Sequence, residues 1–166
     1  MTVPTSRRTR RTATIVAATS LIAGGAGLSA VLAAPAQALP AAQQSCAFSV
    51  LSNTSTSGWQ PVTGSSVTVN NGGGGRYVVV NLNADAGVDP GAEIRVGYST
   101  DGGPVQTPGA QNFANNTEFW QTRHSMVVMY VPAGSHHIQP YWRISGSTGK
   151  NGVIGSRCLT AEASTS

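Results

Sequence analysis

The sequence predicts an all-β fold: a two-sheet antiparallel β-sandwich of the jelly-roll kind, behind an N-terminal signal peptide. Two observations predict it. From Cys46 onward the chain breaks into about eight or nine short β-rich runs, each bounded by Gly, Pro, Asn or Ser clusters. None of these runs carries the 3.6-residue apolar period of an amphipathic helix. The chain has two cysteines, Cys46 and Cys158, one near each end of the β-rich region.

The first segment reads as an export signal over residues 1–38. Arg7, Arg8, Arg10 and Arg11 form a basic head with no acid. An apolar stretch follows through Ile15, Val16, Leu21, Ile22, Leu28, Val31 and Leu32, and it ends in Ala36-Gln37-Ala38. A basic head, an apolar middle and a small-x-small exit are the parts of a secretory signal, so cleavage is expected after Ala38. A membrane anchor needs ~20 predominantly apolar residues. Here Thr19, Ser20, Gly24, Gly25, Gly27 and Ser29 dilute the run. The Arg10-Arg11 pair suits the twin-arginine route, but Ala13 stands where that signal has a bulky apolar residue. The expected location is extracellular, by one route or the other.

Removing the signal changes the charge reading. Residues 39–166 keep Arg76, Arg95, Arg123, Arg143, Lys150 and Arg157 against Asp85, Asp89, Glu93, Asp101, Glu118 and Glu162, a net charge of zero. Phosphate backbones and anionic membranes are held by clustered Lys and Arg. These cations are scattered, which excludes a nucleic-acid partner and a membrane role after cleavage. In an oxidising compartment Cys46 and Cys158 should pair. Closing a loop of about 110 residues stabilises a fold by ~4–5 kcal/mol in the chain-entropy account, and it would fasten the first strand to the last.

Within this frame, residues 39–45 read as a flexible lead-in, 46–162 as the sandwich and 163–166 as a mobile tail. Cys46 to Leu51 is β-rich, and Asn53 to Gly58 is a polar loop. Trp59 to Val62 and Val67-Thr68-Val69 are short strands, and Asn70 to Gly75 is a glycine-rich turn. Tyr77 to Ala84 is the clearest strand: Val78, Val80, Leu82 and Ala84 share one face, and Tyr77, Val79, Asn81 and Asn83 share the other. A strand apolar on both faces at its start predicts a central position. Asp85 to Gly91 reads as a loop, Ile94 to Tyr98 as a strand and Asp101-Gly102-Gly103 as a hairpin-type turn. Residues 104–117 read as a long loop. Phe119 to Thr122 and Met126 to Val131 read as two strands, and Pro132 to Ser135 as a turn. His136 to Ser145 is a long strand with Ile138, Pro140, Trp142 and Ile144 on one face. Pro140 has no N–H to donate, which predicts an edge strand or a bulge there. Val153 to Glu162 closes the domain.

The run Val131-Pro132-Ala133-Gly134-Ser135-His136-His137-Ile138, with Trp142-Arg143, Gly146 and a final Arg157-Cys158-Leu159-Thr160, resembles a pattern in bacterial and phage jelly-roll domains. The opening Trp59-Gln60-Pro61-Val62-Thr63-Gly64 ahead of Val67-Thr68-Val69 resembles it too. These domains look like relatives of the tumour-necrosis-factor and complement-type jelly rolls. The resemblance spans roughly residues 46–162, and it implies a non-enzymatic binding or display module that is often trimeric. The Cys46/Cys158 pair is not a feature of that pattern.

Few constellations carry chemistry. Asp85, Asp89 and Glu93 stand four apart, and with backbone carbonyls could hold calcium; the plainer reading is a polar turn with solvated acids. His136 and His137 are neighbours in a strand and point to opposite faces, so they cannot share one metal ion. His124 could join only one of them. No Gly-x-Ser-x-Gly elbow is present. The expectation is therefore no catalytic residue, no metal and no cofactor. Most rings among Trp59, Trp120, Trp142, Tyr77, Tyr98, Tyr130 and Tyr141 are expected in the core or in cross-strand pairs. Trp120, beside Asn115, Asn116 and Glu118, is the expected exposed exception and the candidate ligand-binding group. The leading functional reading is a secreted, non-catalytic module for an extracellular or cell-wall partner, carbohydrate included. A small secreted hydrolase and a structural subunit of a surface assembly, hence a homo-oligomer, are the alternatives.

Overall fold

The computed structural model describes residues 42–55, 58–107, 112–115 and 120–163. The signal segment 1–38 and the tail 164–166 lie outside the described residues. The described residues form ten strands: β1 (Gln43–Ala47), β2 (Leu51–Thr54), β3 (Gln60–Pro61), β4 (Val67–Asn70), β5 (Arg76–Val88), β6 (Ala92–Thr100), β7 (Ala114–Asn115), β8 (Gln121–Val131), β9 (Ser135–Gly146) and β10 (Asn151–Ala163). There is no helix among the described residues.

The strands form two antiparallel sheets. One runs β1-β10-β5-β8, with β2 also on β10; the other runs β3-β9-β6-β7, with β4 also on β9. β1 and β2 share one edge of β10, and β3 and β4 share one edge of β9. Counting each of these two pairs as one interrupted strand leaves eight, ordered 1-8-3-6 and 2-7-4-5. That interleaving of two Greek keys is a jelly roll.

Alternation places the core between the sheets. Val78, Val80, Leu82, Ala84 and Ala86 of β5 point inward with Leu159 and Ala161 of β10. They meet Ile94, Val96 and Tyr98 of β6 and Ile138, Trp142 and Ile144 of β9. Each fully buried Leu, Ile or Val contributes about 1.5–3 kcal/mol relative to leaving it in water. A register shift between Ile154 and Arg157 lets Gly155 and Ser156 pass while both flanking residues stay buried.

The strand boundaries differ from the sequence expectation in five main places. In the first, the expected strand Cys46 to Leu51 is split at residues 48–50, and Asn53 and Thr54 of the expected polar loop belong to β2, because they pair with Gly152 and Asn151. Gln43 to Ser45 belong to β1 because their backbones pair with Leu159 to Ala161, so polarity did not make them lead-in. β5 continues through Asp85 to Val88, and the turn shrinks to residues 89–91. The two strands expected around Thr122 and Met126 are one: Arg123, His124 and Ser125 pair with Ala84, Asn83 and Leu82. Within the expected loop 104–117, β7 and a Tyr98–Gln106 bridge close onto β6.

Pro140 corrects the edge prediction. β9 is an interior strand, flanked by β6 on one side and by β3 and β4 on the other. The proline falls where the β3/β4 partner is interrupted, between the Pro61↔Tyr141 and Val67↔Ile138 pairs. Its carbonyl accepts from Val62 N–H at 2.8 Å on that side. The gap spares the sheet a missing donor.

Candidate functional site

The antiparallel register gathers the C-terminal ends of β2, β5, β7 and β9 at one end of the sandwich, with the connections that leave them. Hydrogen bonds tie three of them. Ser55 Oγ donates to Ser147 O at 2.6 Å, Ser55 N–H to Lys150 O at 2.9 Å and Asp89 N–H to Asn151 O at 2.9 Å. Trp120 enters this end just ahead of β8.

Trp120 is 51% exposed, as the sequence reading expects of this ring. Its six-membered ring covers Gly155, where a Cβ would meet Trp120 Cζ3 at 2.5 Å. Only a residue without a side chain lets an indole lie this close to the β10 backbone. One side of the ring is therefore packed, and the rest lines an open cleft of about 240 Å³ with Gly87, Val88, Asp89, Pro90 and Asn151. Asp89 Oδ2 accepts from Asn151 N–H at 2.7 Å and from Asn151 Nδ2 at 3.3 Å. The cleft thus offers an aromatic surface, a carboxylate and an amide. These are groups that cover apolar C–H patches and bond hydroxyls.

Of the other expected partners of Trp120, the one among the described residues, Asn115, is not in this cleft. Asn115 pairs with Glu93 on the far edge of the other sheet and lines a separate cleft with Glu93, Arg95, Asn112 and Ser145. Asn116 and Glu118 lie outside the described residues. Asp89 and Asn151 take the polar role instead. They are 62 residues apart, and no local sequence signal joins them.

The acids Asp85, Asp89 and Glu93 diverge. Asp85 accepts from Thr122 Oγ1 at 2.7 Å on the outer face of the β5/β8 sheet. Glu93 accepts from Ser145 Oγ at 2.6 Å and pairs with Arg95; the Ser145 bond, then Arg95, hold its carboxyl below the ordinary range against some burial. Among the described residues no three His, Cys, Asp or Glu side chains gather as a cation site. At the opposite end, His136 Nδ1 lies 2.6 Å from Asp101 Oδ2 and its Nε2 lies 3.1 Å from Ala133 O. Both ring nitrogens face acceptors.

The outer face of the β5/β8 sheet is a further feature. Tyr77, Val79 and Asn81 stand opposite Tyr130, Val128 and Met126. Tyr77, Met126 and Tyr130 are each 57% exposed and Val128 is 54% exposed. The two tyrosine rings meet edge to face at 5.6 Å between centroids. Beyond them the same face turns polar at Asn83, His124, Asp85 and Thr122. β8 is also the last strand of its sheet.

The disulfide Cys46–Cys158 joins β1 to β10 at directly opposed positions. Among the described residues no helix is long and apolar enough to cross a membrane.

No family model matches the chain. No curated protein sequence matches it either. Solved structures similar to it include that of the infectious bursal disease virus Gx strain, at 11% identity and TM-score 0.46, covering 74% of this chain and 31% of that one. The infectious bursal disease virus VP2 subviral particle is similar at 14% identity and TM-score 0.46, covering 73% of this chain and 32% of that one. This chain thus spans about a third of the length of each.

Proposed function

We propose that this chain is an exported, non-catalytic jelly-roll module that acts by association, as a subunit of a surface assembly. The observation that carries this reading is the exposed apolar face of Tyr77, Met126, Val128 and Tyr130 beside the outer edge of β8, on which no strand pairs among the described residues. Contiguous exposed apolar patches, unlike apolar side chains scattered singly, mark interaction surfaces on a folded domain. The disulfide supports export, because such bonds persist in oxidising compartments. The engagement of both His136 ring nitrogens by Asp101 and Ala133 leaves this histidine no nitrogen free to act as a general base. A general base must keep one nitrogen for a nucleophile. Light scattering tests it. The protein is expected to show a mass that rises with concentration, and Val128→Lys, which places a charge in the patch, is expected to hold it as a monomer. A wild-type mass that stays monomeric would contradict the reading.

Carbohydrate binding is the second reading, favoured by the half-exposed Trp120 beside Asp89 and Asn151. Binding to insoluble cell-wall polysaccharide that is saturable and lost in both Trp120→Ala and Asp89→Asn would establish it. Retention of binding in Trp120→Ala would remove this cleft from the account.

A further inference from the structure

We infer that two copies of this chain join edge to edge through β8, antiparallel, about a twofold axis at Val128. This rests on the association reading above and names the partner and the register.

The first ground is the edge itself. β8 bonds to β5 on one side, and among the described residues no strand bonds to its other side. Folded proteins shield long edges with charges, proline, bulges or covering segments, because an open row of N–H and C=O groups templates another strand. In Ser125-Met126-Val127-Val128-Met129-Tyr130-Val131 none of the in-strand devices is present: no charge, no proline and no break in register. The shielding residues Arg123 and His124 stand only at the start of the strand.

The second ground is self-complementarity. A twofold axis perpendicular to the sheet keeps each side chain on its own face, so the pairing must centre on a residue. Centred on Val128, it sets Val128 against Val128 of the second copy and Met126 against Tyr130 on the outer face. On the inner side it sets Val127 against Met129. Each of these three kinds of pair is apolar, only the flanking pair setting Ser125 against Val131, and Met beside an aromatic ring is favourable. Arg123 and His124 fall beyond the paired segment. A register centred on His124 would instead oppose His124 to itself.

The third ground is size. Seven paired residues with their side chains bury roughly 1,000 Å² in total, the low end for specific complexes. The dimer is accordingly weak and reversible. It also makes the two Tyr77/Val128/Tyr130 faces continuous across the axis, a larger apolar surface than one copy presents.

Cysteine cross-linking decides the register. Residues directly opposite in an antiparallel pair have Cα atoms about 4.5–5.5 Å apart, within disulfide reach. The described cysteines are already paired, so an introduced thiol has no native partner. On mild oxidation, Val128→Cys is expected to form a disulfide-linked dimer, at least tenfold more than Met126→Cys alone. A mixture of Met126→Cys and Tyr130→Cys is expected to cross-link. All three positions are more than half exposed, and melting temperatures near wild type check the fold. Wild-type light scattering runs beside it. An associating protein whose Val128→Cys does not cross-link, or a trimer, overturns the β8 pairing and leaves the association reading standing. A monomer at every concentration overturns both.

Discussion

His136 is held between two acceptors, with Nδ1 2.6 Å from Asp101 Oδ2 and Nε2 3.1 Å from Ala133 O. Only the imidazolium can donate to both. The Asp101 bond, then the Ala133 carbonyl, raise the histidine pKa above its ordinary 6.5. The His136 bond and the His137 N–H, which donates to Asp101 Oδ1 at 2.7 Å, lower the aspartate below its ordinary 3.8. Asp101 also sits at a φ of 52°, so this contact closes a turn in a conformation few side chains adopt.

A pH window follows. A raised histidine pKa gives stability that is complete below 6.5 and fades as pH climbs through the raised value. A lowered aspartate pKa gives stability that is complete above 3.8 and fades as pH falls through the lowered value. The melting-temperature difference between wild type and His136→Asn is therefore expected to peak between these two values and to shrink on either side. Thermal melts across pH 3–9 check it; a difference independent of pH would refute the ion pair.

Cys46 and Cys158 close a separation of 112 residues. Loop-closure entropy makes that bond worth about 4–5 kcal/mol. Cys46→Ala/Cys158→Ala is expected to lose most of that figure in urea unfolding. β1 is expected to lose amide protection first, since that strand is otherwise held only by β10 within its sheet.

Arg157 is 2% exposed and forms no salt bridge among the described residues. Its guanidinium donates to Ser49 O at 2.5 Å, to Gly155 O at 3.1 Å and to Thr63 O, so one side chain pins two loops to β10. Arg157→Ala is expected to cost about 3 kcal/mol, because it leaves carbonyls unbonded in a buried site. Arg157→Lys keeps the charge but not the fork, so it is expected to restore less than half of that loss. Denaturant midpoints at constant slope measure both.

Gly155→Ala is expected to push the Trp120 ring off β10, since its Cβ would lie 2.5 Å from Cζ3. Tryptophan emission should shift to the red with a small loss of stability. An unchanged spectrum would mean that the ring does not rest there.

Much of the fold was legible because alternation is a local signal. The inward set Val78, Val80, Leu82 and Ala84, and the set Ile138, Pro140, Trp142 and Ile144, are read directly from spacing and are buried. The half-exposure of Trp120 was legible from its polar neighbourhood. What pairs with what was not. Gln43 to Ser45 carry no apolar signal and are strand only because β10 lies beside them. Pro140 is tolerated by the interruption between β3 and β4, far back in the sequence. The Asp89–Asn151 contact joins the turn after β5 to the first residue of β10, and that β8 ends its sheet among the described residues is a property of sheet order.

Hydrogen exchange of the wild-type protein at low and high concentration tests the association most directly. Concentrating the protein is expected to slow exchange across Ser125 to Val131, while the interior strand β9 keeps its rates. Exchange across β8 that is the same at both concentrations would contradict the account.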